Sequence, residues 1–224
     1  MKTSIAIPVY NEEKTVRQVI ERTKNLKINK EIIVVDDCSK DNSYEVIKNI
    51  SGIKIFRHEK NKGKGAAVRT ALENAIGDIF IIQDADMELD PAQIPKLIAP
   101  IIEGKAVVVY GSRNANAGRG NRSPLFYFGG LLVTFVTNFL YNTKITDEAC
   151  GYKVFKTEII RKLKIENDRF EFEPEITAKV AKRGIKIYEV PIVASSRSIH
   201  HGKKLKRRDG IKAVWTLFKY RFKY

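Results

Sequence analysis

Three carboxylates alternate along Asp84-Ala85-Asp86-Met87-Glu88, directly after the apolar run Ile79-Phe80-Ile81-Ile82. Where a chain leaves an extended strand, residues two apart point to one side, so Asp84, Asp86 and Glu88 are expected to face one point while Ala85 and Met87 pack behind. Carboxylates that converge repel one another unless a cation sits between them. Oxygen-only ligation suits Mg²⁺ or Mn²⁺, which bind through a few carboxylates and complete their shells with substrate phosphates. An isolated Asp-x-Asp is ordinarily a solvated loop. Here it follows a buried strand, and a second acidic pair, Asp36-Asp37, ends another β-rich run, Ile32–Val35. A cation at such an edge has one obvious use, which is to neutralise a leaving diphosphate. No Walker-type loop offers an alternative phosphate cradle. Asn61-Lys62-Gly63-Lys64-Gly65 lacks its spacing and its Lys-Ser/Thr pair, and its glycines read as a tight lead into the next helix.

Positioning these acids requires strands, and the first half of the chain supplies them in alternation with amphipathic stretches. Ile5–Val9, Ile32–Val35, Ile53–Arg57, Ile79–Ile82 and Ala106–Tyr110 read as strands. Helices are expected after Asn11 (as N-cap, with Val16, Val19 and Ile20 on one face), over Ser43–Ile50, over Ala66–Ile76, and from Pro91. This pattern predicts an α/β fold, a mostly parallel central sheet with helices on both faces. Ligands of open α/β sheets bind outside the carboxyl ends of the strands, and Tyr10-Asn11-Glu12, Asp36-Asp37 and Asp84–Asp86 all stand there. Further on, Glu173-Pro174-Glu175 opens a helix through Arg183. Either acid could serve as a base, or both could simply complement the helix dipole.

The chain fits one domain, residues 1–224, with no internal boundary. Met1-Lys2-Thr3 runs straight into a strand without a signal-peptide pattern, and Cys38 and Cys150 have neither metal-ligand spacing nor a disulfide framework, so a reducing cytoplasm is expected. The net charge of +15 calls for an anionic partner. From Arg197 to Tyr224 ten Lys/Arg face one acid, Asp209, so most of the excess lies in the last eighth of the chain. Residues 123–143 carry no charge, but Thr134, Thr137, Asn138 and Tyr141 form one polar stripe opposite Leu131, Leu132, Phe135, Val136, Phe139 and Leu140. A helix lying in a membrane interface, or packed on the catalytic domain, fits better than a spanning one. The basic segment 203–224 adds an apolar stripe, Ile211, Val214, Trp215, Phe218 and Phe222, flanked by Lys212, Lys219, Arg221 and Lys223. Aromatic and basic residues together suit the headgroup region of an anionic membrane.

The strings Ile7-Pro8-Val9-Tyr10-Asn11-Glu12, Ile33-Val34-Val35-Asp36-Asp37-Cys38-Ser39-Lys40-Asp41, Asn61 to Arg69 and Asp84-Ala85-Asp86 resemble glycosyltransferase family 2. That family has the GT-A nucleotide-sugar-binding fold. Gly111-Ser112-Arg113, Cys150 to Phe155, Phe172 to Ile176, and Arg197 with Lys203 narrow the resemblance to the dolichyl-phosphate mannose and glucose synthases and the polyprenyl-phosphate glycosyltransferases. Carried over by position, Pro8, Tyr10 and Glu12 would line a base and ribose pocket beside Val35 and Asp37. Asp84, Ala85 and Asp86 would meet the ribose and diphosphate. Asp86 and Glu88, with Asp84, would hold Mg²⁺ or Mn²⁺. Arg113, Arg197 and Lys203 would neutralise phosphates. Cys38 stands where the family's Asp-Asp-Gly-Ser turn has Gly, and Glu88 where the mannose synthases often have Gln.

The resemblance implies an inverting enzyme that moves a sugar from GDP-mannose or a UDP-glucose or UDP-HexNAc donor to a polyprenyl or dolichyl phosphate. It would act peripherally on the cytoplasmic face of a membrane, alone or with a membrane-protein partner. The alternative is a family member acting on a sugar or protein hydroxyl, which needs a catalytic carboxylate and no basic acceptor site. A nucleic-acid-binding role is excluded, since no recognised binding motif or basic-aromatic sheet face is present.

Overall fold

A computed structural model describes residues 1–115, 124–195 and 207–223. The strands are β1 (Thr3–Val9), β2 (Lys30–Asp36), β3 (Lys54–Arg57), β4 (Ile79–Ile82), β5 (Val108–Ser112), β6 (Lys153–Lys156) and β7 (Tyr188–Pro191). They form one sheet in the order β3-β2-β1-β4-β6-β5-β7. All neighbours run parallel except β6, which is antiparallel to both β4 and β5. The helices are α1 (Val16–Lys24), α2 (Ser43–Lys48), α3 (Lys64–Glu73), α4 (Ile94–Ile102), α5 (Pro124–Tyr141), α6 (Thr157–Leu163), α7 (Phe172–Lys182) and α8 (Arg207–Phe222).

The period of two along each strand builds two cores. Ile5, Ile7, Ile32, Val34, Ile79 and Ile81 meet α1, α2 and α4 on one face. Ala6, Ile33, Val35, Phe80 and Ile82 meet α3, α6 and α7 on the other. Each such side chain contributes roughly 1.5–3 kcal/mol by leaving water, so a one-residue slip in register would be prohibitive. Helices therefore cover both faces of a mostly parallel sheet, as the patterning predicts.

Helix bounds shift by a few residues, to Ser43–Lys48, Lys64–Glu73 and Ile94–Ile102 after a 3-10 turn at Pro91–Gln93, and two further changes bear on the site. Asn11 does not cap α1, which starts at Val16: Asn11 sits at φ 50° and its Oδ1 accepts the Lys40 N–H at 2.7 Å, so its side chain serves the neighbouring loop. The fifth strand is Val108–Ser112 rather than 106–110, which carries Arg113 to the strand's carboxyl end.

Candidate active site

The carboxyl ends of β2, β1 and β4 are adjacent, and the segments leaving them are laced together. Asn11 N–H donates to Ser39 Oγ at 3.0 Å and Glu12 N–H to Ser43 Oγ at 2.7 Å. The Thr15 hydroxyl donates to the carbonyl of Ala85 at 2.8 Å, tying the acidic turn to the first loop. Pro8, Tyr10 and Glu12 are partly exposed along this edge.

Asp37 is the clasp of the edge. Its carboxylate accepts the backbone N–H of Lys62 (2.9 Å) and Gly63 (2.7 Å) and the amide of Asn61 (2.9 Å), and His58 Nδ1 lies 2.7 Å away. Four partners on one buried carboxylate make it the anchor of the 58–63 loop. Gly63, at φ 110°, starts α3, and Gly65 admits the backbone of Asn167 where a Cβ would collide, so the Gly-rich string is the tight lead into a helix expected of it. Val35 does not flank an open pocket. The alternation of β2 sends it with Ile33 into the core, fully buried. Cys38 occupies a left-handed conformation, φ 60°, the geometry for which glycine is the unstrained residue.

The acidic segment differs from an extended chain. Met87 adopts φ 61° and the Glu88 N–H donates to Asp86 Oδ1 at 3.1 Å, curling residues 84–89 into a turn. The Gln83 amide braces it by donating to the carbonyls of Asp84 (2.9 Å) and Leu89 (3.0 Å). Asp84 Oδ1 is drawn to Lys64 Nζ at 2.7 Å. The three-carboxylate convergence expected from strict alternation is therefore not formed: among the described residues no group of three His, Cys, Asp or Glu side chains gathers as a metal cage. The donor set still fits Mg²⁺ or Mn²⁺, because one or two carboxylates suffice when substrate phosphates complete the shell.

Arg113 leaves β5 toward the same edge. Its Nε and Nη2 donate to the two oxygens of Asp147, each at 2.7 Å. Burial opposes its charge, but the Asp147 bonds outweigh burial and its pKa is raised. Arg197 and Lys203 lie outside the described residues. Glu173, at the start of α7, lies 2.8 Å from Lys64 Nζ and 3.2 Å from Lys153 Nζ. Burial alone would raise its pKa; the two lysines instead hold it down at about 2, a poor proton acceptor. Glu175 is fully buried and accepts the N–H groups of Glu166 (2.7 Å) and Asn167 (2.8 Å), which fixes the turn before α7. Lys64, Asp147, Lys153 and Glu173 thus enter the site through partners distant in sequence. Only Glu173 carried a sequence signal of chemistry.

Beside this edge, α5 and α8 pack on each other and on α7. The polar stripe of α5 faces inward: Thr137 is fully buried, Asn138 brackets Ile145 from both sides, and the Tyr141 hydroxyl donates to the carbonyl of Leu217 at 2.6 Å. Outward stand Phe128, Leu132, Phe135 and Phe139, at i, i+4, i+7 and i+11. In α8 the exposed residues Ile211, Trp215, Phe218 and Phe222 repeat the same spacing. Phe139 is 78% and Trp215 70% accessible, values for which water gives no reason. Among the described residues no helix is long and apolar enough to cross a membrane.

Comparison with known proteins accords with this geometry. A UDP-N-acetylglucosamine–dolichyl-phosphate N-acetylglucosaminyltransferase of Methanococcus voltae is 33% identical, covering 84% of this chain and 83% of that protein. A dolichol-phosphate mannosyltransferase of Pyrococcus furiosus is 31% identical over 88% of this chain, which spans 58% of the mannosyltransferase's length. Among solved structures, glucosyl-3-phosphoglycerate synthase of Mycobacterium tuberculosis with Mn²⁺, UDP and phosphoglyceric acid superposes with a TM-score of 0.76 at 19% identity, covering 99% of this chain and 78% of that one, a likeness of fold. The profile of glycosyl transferase family 2 matches residues 4–164, and with the GT-A fold and relatives 31–33% identical over most of its length the chain belongs to glycosyltransferase family 2.

Proposed function

We propose that this glycosyltransferase moves a sugar from a nucleotide-sugar donor to the phosphate of a dolichyl or polyprenyl carrier, docked peripherally on the cytoplasmic face of an anionic membrane. One observation carries the reading: a single loop both holds the cationic site and seats α5, the helix whose outer side is apolar. Asp147 of that loop holds Arg113, while the next residue, Glu148, donates its N–H to Thr134 on α5 at 3.1 Å. An acceptor with a phosphate head and an apolar tail needs that juxtaposition. The two relatives described above carry a dolichyl or dolichol phosphate in their names.

In this reading Pro8, Tyr10 and Glu12 border the base and ribose, with Asp37 fixing the loop beneath. Asp84 and Asp86 meet the ribose and diphosphate, and Asp84, Asp86 and Glu88 are the residues that would hold Mg²⁺ or Mn²⁺, which supplies positive charge for the leaving diphosphate. Arg113, Arg197 and Lys203 hold phosphates of donor and acceptor within attacking distance. A phosphomonoester has its second pKa at about 6 and arrives largely ionised, so no residue need act as base. That fits a Glu173 committed to two lysines. The acceptor oxygen attacks the anomeric carbon as its bond to the diphosphate breaks, one displacement that turns an α-linked donor into a β-linked product.

The test is a panel of GDP- and UDP-sugars offered with a polyprenyl phosphate in vesicles, and separately with sugar and peptide hydroxyl acceptors. Lipid-linked product with β anomeric coupling is expected. Product on the hydroxyl acceptors alone would overturn the reading.

A further inference from the structure

Asp84 stands in a closed circuit of contacts, and we infer that Lys153 and Glu173 are positioning residues that fix Asp84 for the donor and its metal ion. The inference rests on the reading of Asp84 as a donor-site carboxylate. One oxygen of Asp84 meets Lys64 Nζ at 2.7 Å, and Lys64 meets Glu173 Oε1 at 2.8 Å. The other Glu173 oxygen lies 3.2 Å from Lys153 Nζ. Lys153, fully buried on β6, also donates to the carbonyls of Glu148 (2.8 Å) and Cys150 (2.9 Å). Those carbonyls belong to the loop whose Gly151 abuts the second oxygen of Asp84, where an added Cβ would collide with it. The circuit thus leaves Asp84 through one oxygen and returns to it at the other.

Stability is a weak reason for such a construction. Desolvating ions is costly, and an apolar group of like volume in place of a buried ion pair is often neutral or stabilising. What the circuit supplies is orientation. Lys64 and Glu173 are 109 residues apart, yet together they set where the Asp84 carboxylate points. The same loop carries Asp147, so Lys153 indirectly steadies Arg113 as well.

Charge and position predict opposite signs for one variant. Lys153→Met removes a positive charge near the carboxylates, so electrostatics alone would tighten Mn²⁺ binding. Loss of positioning would weaken it. The experiment measures Mn²⁺ binding to the full chain by electron paramagnetic resonance without donor, alongside Tm and turnover. Lys153→Met and Glu173→Gln are expected to weaken Mn²⁺ by about 10- to 100-fold and to lower kcat, the range for groups that orient metal ligands. Lys153→Arg, which keeps charge and donors, should recover most of the loss. Gly151→Ala changes no charge, crowds Asp84 directly, and should weaken Mn²⁺ with Tm nearly unchanged.

Mn²⁺ binding at or above wild-type strength in a folded Lys153→Met would overturn the inference, as would a neutral Gly151→Ala, which decides the matter if Lys153→Met does not fold. Asp84→Asn is the control. If it too binds Mn²⁺ normally, the donor-site reading of Asp84 has failed. If it binds weakly while Lys153→Met and Gly151→Ala match wild type, only the positioning role is lost.

Discussion

The strand-end site and the α5–α8 face treat polarity in opposite ways. At the site, partly or fully buried charges are matched in a chain: Asp84 with Lys64, Lys64 with Glu173, Glu173 with Lys153, and Arg113 with Asp147. On the face, hydroxyls and an amide turn inward while phenylalanines and a tryptophan stand out. The first arrangement makes sense where anions must be held in fixed positions away from water. The second fits the proposed docking of this face on a membrane. Amphipathicity therefore reports the contrast between two surroundings and does not by itself say which side is the core.

That comparison can be broken at its polar end first. Asp86→Asn, or excess chelator on wild type, should lose several kcal/mol of transition-state stabilisation, about 10³-fold in turnover, with Tm unchanged. Full turnover in chelator would remove the metal from the site. The cationic clamp comes next. Arg113→Ala, Arg197→Ala and Lys203→Ala each remove charge-assisted hydrogen bonds worth roughly 1.5–3 kcal/mol, so about 10- to 150-fold in turnover assayed in detergent. A Lys219→Ala/Arg221→Ala double variant should keep its turnover in detergent and lose vesicle sedimentation in a salt-dependent way, at roughly 1 kcal/mol per residue. Near-normal turnover of the three clamp variants would erase the distinction between the two regions.

The apolar end is probed by Phe139→Ser and Trp215→Ser. Each should reduce partition onto anionic vesicles by about tenfold or more, since a large apolar side chain contributes roughly 1.5–3 kcal/mol on leaving water. Thermal stability should move by no more than about 0.5 kcal/mol, because these side chains pack against little in the folded chain. A large loss of Tm would mean that the face is covered by the protein itself.

A pH-dependent effect sits where the regions join. Burial pushes the Glu148 carboxyl up to about 7, assisted by Glu173 and Asp147 and opposed by Lys153 and Thr177. An unfolded chain has this group at about 4.3. Between those values the folded state keeps a proton that the unfolded chain has released, so stability falls as pH rises through that window and is flat above it. Glu148→Gln should abolish this slope. Relative to wild type its Tm should rise by roughly 5 °C between pH 5 and pH 8, and parallel curves would refute the buried-acid assignment.

Much of this molecule is written locally. The run Ile79–Ile82 is the fourth strand at the bounds its β-branched content and flanks imply, and the acids that follow it stand at the carboxyl edge as the α/β alternation requires. Period and turn chemistry act over a few residues, so they survive without knowledge of the fold. The stripe Thr134, Thr137, Asn138 and Tyr141 was equally legible, but its direction was not. A helix carries two faces, and only the loop at Ile145 and Glu148, with Leu217 of α8, gave the polar one its partners. The same limit applies to Lys64, Lys153 and Glu173. Lys64 and Lys153 are ordinary charged residues in their own segments, and Glu173, singled out as a candidate base, gave no sign of its two lysine partners. Their meaning comes from burial, which raises the cost of an unpaired charge and obliges residues far apart in the chain to meet. What the sequence determined alone were the first five strands, the helices among them and the edge at which acids gather, while β6, α6 and β7 carried no pattern that announced them. Tertiary packing decided which carboxylate points at a ligand, which is spent on a lysine, and which side of a helix meets the world outside, because those choices depend on a dielectric boundary that exists only once the chain has folded.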